Sequence, residues 1–168
     1  HNRIRHEIID ANLEGILYLI KHSSGSNTSA DKWTTRAIKN RDLNLDALRN
    51  MGIYSNLSRY QRSVMDTNHL LNSAGKSFHV ELSLADYQDT CLSPMKSLDL
   101  ICAAEQPEKN PFYPYFQHRL IKTMENDPDV IGFSLNYLSQ ALCAFAMIGF
   151  IKKMNPRQKI ILGGSLVT

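Results

Sequence analysis

The clearest change in hydrophobic pattern lies between residues 129 and 168. A short apolar run over 129–134 precedes a long apolar segment over 138–151 and a second short run over 159–162. Continuous apolar runs of strand length are typical of parallel strands buried on both faces, and the longer segment has the length of a core helix. The pattern therefore predicts a strand, a helix and a second strand parallel to the first.

The rest of the chain is predicted to be mostly helical. Apolar residues at helical spacing, polar helix starts and punctuating glycines predict helices over residues 10–22, 33–39, 45–51, 57–71, 97–104 and 115–126. Gly75 is expected to end the fourth of these helices. Strict alternation of apolar and polar residues over 78–84 predicts a strand with one solvated face, and 85–94 is expected to be a polar loop. A flexible loop is expected over 23–29.

These elements divide the chain into two predicted parts. Residues 1–56 form a helical N-terminal extension, and residues 57–168 form an α/β domain. The expected fold class is α/β, with a partial parallel sheet of the flavodoxin or Rossmann type. Since the chain stops just beyond the end of its second parallel strand, we expect this domain to be truncated at its C-terminus.

Composition and charge exclude some classes of function. The net charge of +3 is small and the cations are scattered, so nucleic acid is not an expected partner. The apolar segment over 138–151 is shorter than the roughly 20 residues that span a bilayer, so no membrane span is expected. The chain has three cysteines, Cys91, Cys102 and Cys143. Their spacing is typical neither of a disulfide framework nor of a metal site. Because no disulfides are indicated, we expect a cytoplasmic protein.

Ligands of parallel α/β sheets bind beyond the carboxyl ends of the strands. One end here begins with Ser134, and the other begins with the pair Gly163 and Gly164. The paired glycines either leave room for a flat group or are only a flexible strand end. The loop over 134–137 lacks the glycines that wrap a pyrophosphate, which counts against a nicotinamide or flavin dinucleotide.

The sequences of both strand ends resemble those of a known family. Ser134 and the double glycine stand at the spacing of the corresponding motifs in cobalamin-binding folds. The wider sequence over 129–140 and 159–164 resembles more closely the N-terminal cobalamin-binding domain of radical S-adenosylmethionine proteins. The resemblance covers about residues 57–168.

This resemblance implies a cofactor site. Ser134 would hydrogen-bond the buried nucleotide tail of cobalamin, and Gly163 and Gly164 would make space for that tail. Residues 57–84 would supply an earlier helix and strand of the same sheet. Neighbouring site residues would be those on the same loop and first helical turn, namely Asn136, Tyr137 and Gln140.

The chain departs from the family pattern at two places. Asn136 stands where the serine motif has a leucine, and the Asp-x-His-x-x-Gly loop that supplies the lower axial histidine is absent. Asp86 and Gln88 stand at about the spacing of that loop, with Gln88 in place of the histidine. These two residues are weaker candidates for the cofactor site. We therefore expect cobalamin to bind base-off, without a protein histidine on the cobalt.

The resemblance also implies a partner domain. The chain contains no Cys-x-x-x-Cys-x-x-Cys sequence. The 4Fe–4S cluster and S-adenosylmethionine would therefore belong to a downstream radical domain of the same polypeptide. The chain by itself is expected to bind a small-molecule cofactor and not to be catalytic.

Two other interpretations stay open. A degenerate α/β domain could have lost the cofactor and kept the sheet, with the strand over 78–84 and the basic helical N-terminus serving a protein partner. Alternatively, the chain could be a nucleotide- or S-adenosylmethionine-binding α/β enzyme of another family. The absence of an acidic residue after the strand ending at Leu162 counts against this second alternative.

Overall fold

The structure is a computed structural model that describes residues 6–23 and 31–167. Its helices are α1 (Ala11–His22), α2 (Lys32–Lys39), α3 (Arg41–Arg49), α4 (Leu57–Gly75), α5 (Ser97–Glu105), α6 (Tyr113–Glu125) and α7 (Ala141–Met154). Its strands are β1 (Val80–Leu82), β2 (Tyr87–Asp89), β3 (Val130–Ser134) and β4 (Lys159–Gly163). The fold class is α/β and mostly helical, which confirms the expected class. Apart from Ser23, the loop predicted over 23–29 lies outside the described residues, as does Thr168.

Side-chain caps fix where α1, α2 and α4 begin. Each cap is a side-chain oxygen that accepts a hydrogen bond from the backbone N–H three residues further on, and the capping residues are Asp10, Asp31 and Asn56. Such caps satisfy donors that the first helical turn leaves unpaired. The predicted helix starts near 33 and 57 are thereby confirmed to within one residue.

The end of α4 differs from the expectation. Gly75 has a φ of −76° and is still helical, whereas the left-handed residue is His79, with a φ of 59°. A Cβ at position 75 would lie 2.3 Å from the carbonyl oxygen of Val80. Gly75 is therefore explained by the close approach of β1 to α4, and not by a left-handed helix ending.

The strand predicted over 78–84 is shorter than expected and has a different partner. It ends where Ser83 Oγ accepts a hydrogen bond from the N–H of Asp86, which forms a turn. The chain then returns as β2, inside the predicted polar loop over 85–94, and pairs antiparallel with β1. These two strands form a sheet separate from β3 and β4. The expectation that the strand within 57–84 belongs to the parallel sheet is therefore wrong.

The predicted strand–helix–strand unit is confirmed. β3 and β4 are parallel, and the register places Ser134 beside Gly163. Only one face of this sheet is packed against the core, through residues such as Phe133 and Ile160. The opposite face is open, and Ile161 on it is 60% exposed. Burial on both faces was expected; among the described residues, α7 and the core cover only one face.

One hydrophobic core joins the two predicted parts of the chain. Its buried members come from α1, α2, α4, β1, α6 and α7, among other segments, and include Ile20, Ala37, Leu71, Phe116 and Ile151. Beside this core, α5 and α7 pack closely, since a Cβ at Gly149 would lie 1.8 Å from the carbonyl oxygen of Ala104. Residues on both sides of the predicted boundary at 56 therefore stabilise one another.

Candidate functional site at the ends of the parallel strands

Backbone hydrogen bonds tie the two strand ends together. The N–H of Leu135 donates to the carbonyl oxygen of Gly163 at 2.8 Å. The carbonyl oxygen of Leu135 in turn accepts a hydrogen bond from the N–H of Leu166 at 3.0 Å. The residues that follow β3 and β4 therefore form one connected edge, as expected for neighbouring parallel strands.

Gly164 is needed for this connection. It has a φ of +99°, and a Cβ there would lie 2.3 Å from the carbonyl oxygen of Leu135 and 2.6 Å from its nitrogen. Space beside Gly164 was expected for a cofactor tail, but the Leu135 backbone occupies it. The glycine instead permits two chain segments to approach closely.

Gly163 has open space in front of it. A Cβ at Gly163 or at Gly132 would meet nothing within 4 Å. Both positions lie on the open face of the sheet, together with the exposed side chain of Ser134. We call these three residues, Gly132, Ser134 and Gly163, the small-residue shelf. The shelf presents one hydroxyl and bare backbone, so a flat group can lie directly on the sheet.

Gln140 and Asn136 hold the loop after β3 in place. Gln140 Oε1 accepts hydrogen bonds from the N–H groups of Asn136 and Tyr137, at 3.0 and 3.3 Å. The carbonyl oxygen of Asn136 accepts a hydrogen bond from the hydroxyl of Ser165, which follows β4. Tyr137 is 69% exposed beside them. The sequence-predicted residues of this loop are thus brought together, with Asn136 and Gln140 in positioning roles and Tyr137 accessible to a ligand.

Asp86 and Gln88 belong to the antiparallel hairpin and not to the parallel sheet. Asp86 lies in the turn, where its Oδ1 accepts a hydrogen bond from the N–H of Tyr87. Gln88 lies on β2 opposite Glu81, and both are exposed. The interpretation of this segment as a loop after a strand of the cofactor sheet is therefore wrong. Within the described residues, β2 contacts the 3-10 turn Leu138–Gln140, which lies next to the strand-end region.

A buried polar group behind the site was not predicted from the sequence. Asn110 Nδ2 lies 3.3 Å from the hydroxyl of Tyr87 and 3.6 Å from the sulfur of Cys143. Burial raises the pKa of the Cys143 thiol to about 12 and also raises the pKa of Tyr87. Both groups are therefore protonated near neutral pH, and they anchor β2 to α7 without providing a nucleophile.

Gly132 was also missed, although the sequence carries a signal for it. A glycine inside an apolar strand often marks the close approach of a ligand or another backbone. The run over 129–134 was interpreted only as a continuous buried strand. Which residues of this strand lie on the open face follows from its pairing register with β4 and from its packing on the core, and the sequence specifies neither.

The part of the chain that the structure describes offers neither a side-chain cluster for a metal ion nor a membrane-spanning helix. No cluster of three or more histidine, cysteine, aspartate or glutamate side chains there could hold a metal ion. Over the same residues, no helix is both long enough and apolar enough to cross a membrane.

Comparison of the chain with protein-family models, with curated proteins and with solved structures gave no match.

Proposed function

We propose that this chain is a cobalamin-binding-like domain, of flavodoxin-like architecture, from a cytoplasmic radical S-adenosylmethionine enzyme. The observation that supports the proposal best is the small-residue shelf at the joined ends of β3 and β4. Ser134 lies beside Gly163 in the register, with open space in front of Gly163. Ligands of parallel sheets bind at this edge.

The chemistry of the shelf fits the tail of the cofactor. The Ser134 hydroxyl can both donate and accept a hydrogen bond, as a polar nucleotide tail requires. Bare backbone at Gly132 and Gly163 lets a flat group approach the sheet, and Ile161 offers an adjacent apolar surface. In this proposal Tyr137 contacts the cofactor, whereas Gly164 shapes the edge without touching it.

The metal centre of the cofactor is proposed to lack a protein imidazole. The axial histidine motif is absent from the sequence, and Gln88, which stands at its spacing, lies on the antiparallel hairpin. Bound cobalamin would supply cobalt chemistry to a radical reaction whose 4Fe–4S cluster and S-adenosylmethionine sit in a downstream domain of the same polypeptide. This domain's part is to bind and orient the cofactor.

An absorption titration with hydroxocobalamin tests the proposal. We expect saturable binding with a base-off visible spectrum. Ser134→Ala should weaken binding about fivefold, because it removes one hydrogen bond. Ser77→Ala is a matched control, since Ser77 is exposed on the turn Lys76–Phe78, which is not part of the parallel sheet. Absence of binding to the folded full-length protein, or equal affinity of the Ser134→Ala variant, would overturn the proposal.

A second candidate function is a protein-binding domain that has lost the cofactor. The observation that favours it is the open sheet face, on which Ile161 and Val130 are 60% and 43% exposed. Exposed apolar side chains on a sheet face are commonly covered by another protein surface. Folded protein that binds no cobalamin but self-associates or captures a partner through an Ile161-dependent surface would favour this candidate.

A further inference from the structure

Two clefts open beside α4 in the N-terminal part of the protein. The first, of about 270 Å³, lies between α2 and α4 and is lined by Trp33, Arg62 and Met65 among others. The second, of about 480 Å³, lies between α3 and the start of α4, and Arg59 lines it. Arg59 and Arg62 are three residues apart, which is about 4.5 Å along the helix axis. One surface of α4 therefore carries an arginine in each cleft.

Both clefts also contain an aspartate, Asp66 in the first and Asp46 in the second, but these carboxylates pair with Arg36 and Arg49. Over the described residues, Arg59 and Arg62 form no ion pair. The segment 31–66 contains seven lysines and arginines and four aspartates. Its net charge of +3 equals the net charge of the whole chain. The segment that leads into α4 therefore carries a net positive charge, as does the segment 152–159, which contains four cations and no carboxylate.

The wall of the first cleft is held in a fixed arrangement. Asp66, whose side chain is 1% exposed, accepts hydrogen bonds from Arg36 and from the indole N–H of Trp33, both at 2.8 Å. The Trp33 ring also stacks on His69, with ring centroids 4.1 Å apart. Because these side chains are already ordered, a ligand that contacts them loses little additional side-chain entropy.

Apolar side chains stand exposed next to the arginines. Met65 is 57% exposed in the first cleft, and Leu57 and Tyr54 are 65% and 62% exposed near the second. Large apolar residues grouped with unpaired cations are typical of protein interaction sites. Burying them against a partner is favourable in proportion to the apolar area removed from water.

We propose that this α4 surface binds an acidic amphipathic helix of a partner protein. Carboxylates one turn apart on such a helix match the spacing of Arg59 and Arg62, and its apolar side chains would pack on Met65 and Trp33. The exposed methionine and leucine make the surface less suited to nucleic acid, whose bases stack on aromatic rings and whose backbone needs a continuous row of cations. This inference is independent of the cofactor site.

Trp33 provides a direct probe, because it is the only tryptophan in the chain. The protein is titrated with a synthetic helical peptide of about 16 residues that carries leucine and phenylalanine on one face and glutamate beside them. We expect a saturable change in Trp33 fluorescence that weakens as salt is raised. Arg59→Glu combined with Arg62→Glu should weaken binding about tenfold, since attraction is replaced by repulsion.

Arg157→Glu is the matched control, because Arg157 is exposed and forms no ion pair among the described residues, but lies near β4. It should leave peptide affinity unchanged. The proposal is overturned if the acidic peptide gives no saturable signal, if Arg157→Glu weakens binding as much as the double variant, or if a peptide with lysine in place of glutamate binds equally well. Tighter binding of a single-stranded oligonucleotide would likewise overturn it, in favour of a nucleic-acid site.

Discussion

Gly163 and Gly164 are adjacent in the chain but have different roles. Gly164 adopts a positive φ and lies against the Leu135 backbone, so its lack of a side chain joins the two strand ends. Gly163 faces open space beside Ser134, so its lack of a side chain leaves a surface for a ligand. The double-glycine sequence therefore combines a structural requirement with a binding requirement.

Gly164→Val should destabilise the protein by about 3 kcal/mol, because it combines an unfavourable backbone conformation with a backbone clash. Gly163→Val is the matched control and should change the free energy of unfolding by less than about 0.5 kcal/mol. Urea denaturation followed by circular dichroism measures both. Equal stability of the two variants would show that Gly164 does not make the contact described.

Asp66 is a buried carboxylate whose contribution to folding stability depends on its negative charge. Burial by itself raises the pKa of Asp66, but the hydrogen bonds from Arg36 and Trp33 and the Arg36 charge outweigh this effect, and the pKa is lowered below its ordinary value. A lowered folded-state pKa means that the unfolded chain binds the proton more readily. The stabilisation is therefore present above the ordinary aspartate pKa and is lost as the pH falls through the lower, folded-state value.

Asp66→Asn should lower the free energy of unfolding at pH 7 by about 2 kcal/mol, since the carboxylate that pairs with Arg36 is lost. The difference from wild type should shrink as the pH is lowered below about 4, where Asp66 becomes protonated in the unfolded chain. Urea denaturation at several pH values measures this. A difference that stays constant down to pH 2 would contradict the role of the charge.

At the scale of elements, the contact between α5 and α7 fixes the helix layer under the parallel sheet. Gly149→Ala should destabilise the protein by about 2 kcal/mol, because the added Cβ overlaps the Ala104 backbone by more than helix propensity compensates. Gly15→Ala in α1 is a control of the same type, since its Cβ would meet side-chain rings and no backbone, with Phe112 at 3.1 Å and Tyr115 at 3.5 Å. If both variants melt at the same temperature, the close packing of α7 on α5 is refuted.

The elements that the sequence predicted well are those with long or continuous patterns. The periodicity around α4 and the apolar run of α7 are set by local burial, and both helices are found. β2 was missed because it spans only Tyr87–Asp89, and its pairing depends on a turn made by Ser83. The alternation over 78–84 predicted a longer strand, because alternation does not reveal where a turn interrupts it.

At the scale of the whole molecule, the position of the candidate site followed from topology, whereas its detailed shape did not. Two parallel strands joined by a helix place their carboxyl ends at one edge, which brought Ser134 and Gly163 together as predicted. The open sheet face and the tie between Leu135 and Leu166 depend on packing between distant segments. The α4 clefts were also missed, because Arg36 and Asp66 lie 30 residues apart and meet only in the folded protein.

The most direct test of the central claim is the equilibrium affinity of hydroxocobalamin for wild type, Gly163→Ala and Gly163→Val. The larger side chain should fill the space beside Ser134 and weaken binding by about tenfold or more, with the alanine variant between the two. Circular dichroism and urea denaturation should show that all three proteins are equally folded. Unchanged cobalamin affinity in a folded Gly163→Val variant would contradict the small-residue shelf as the cofactor site.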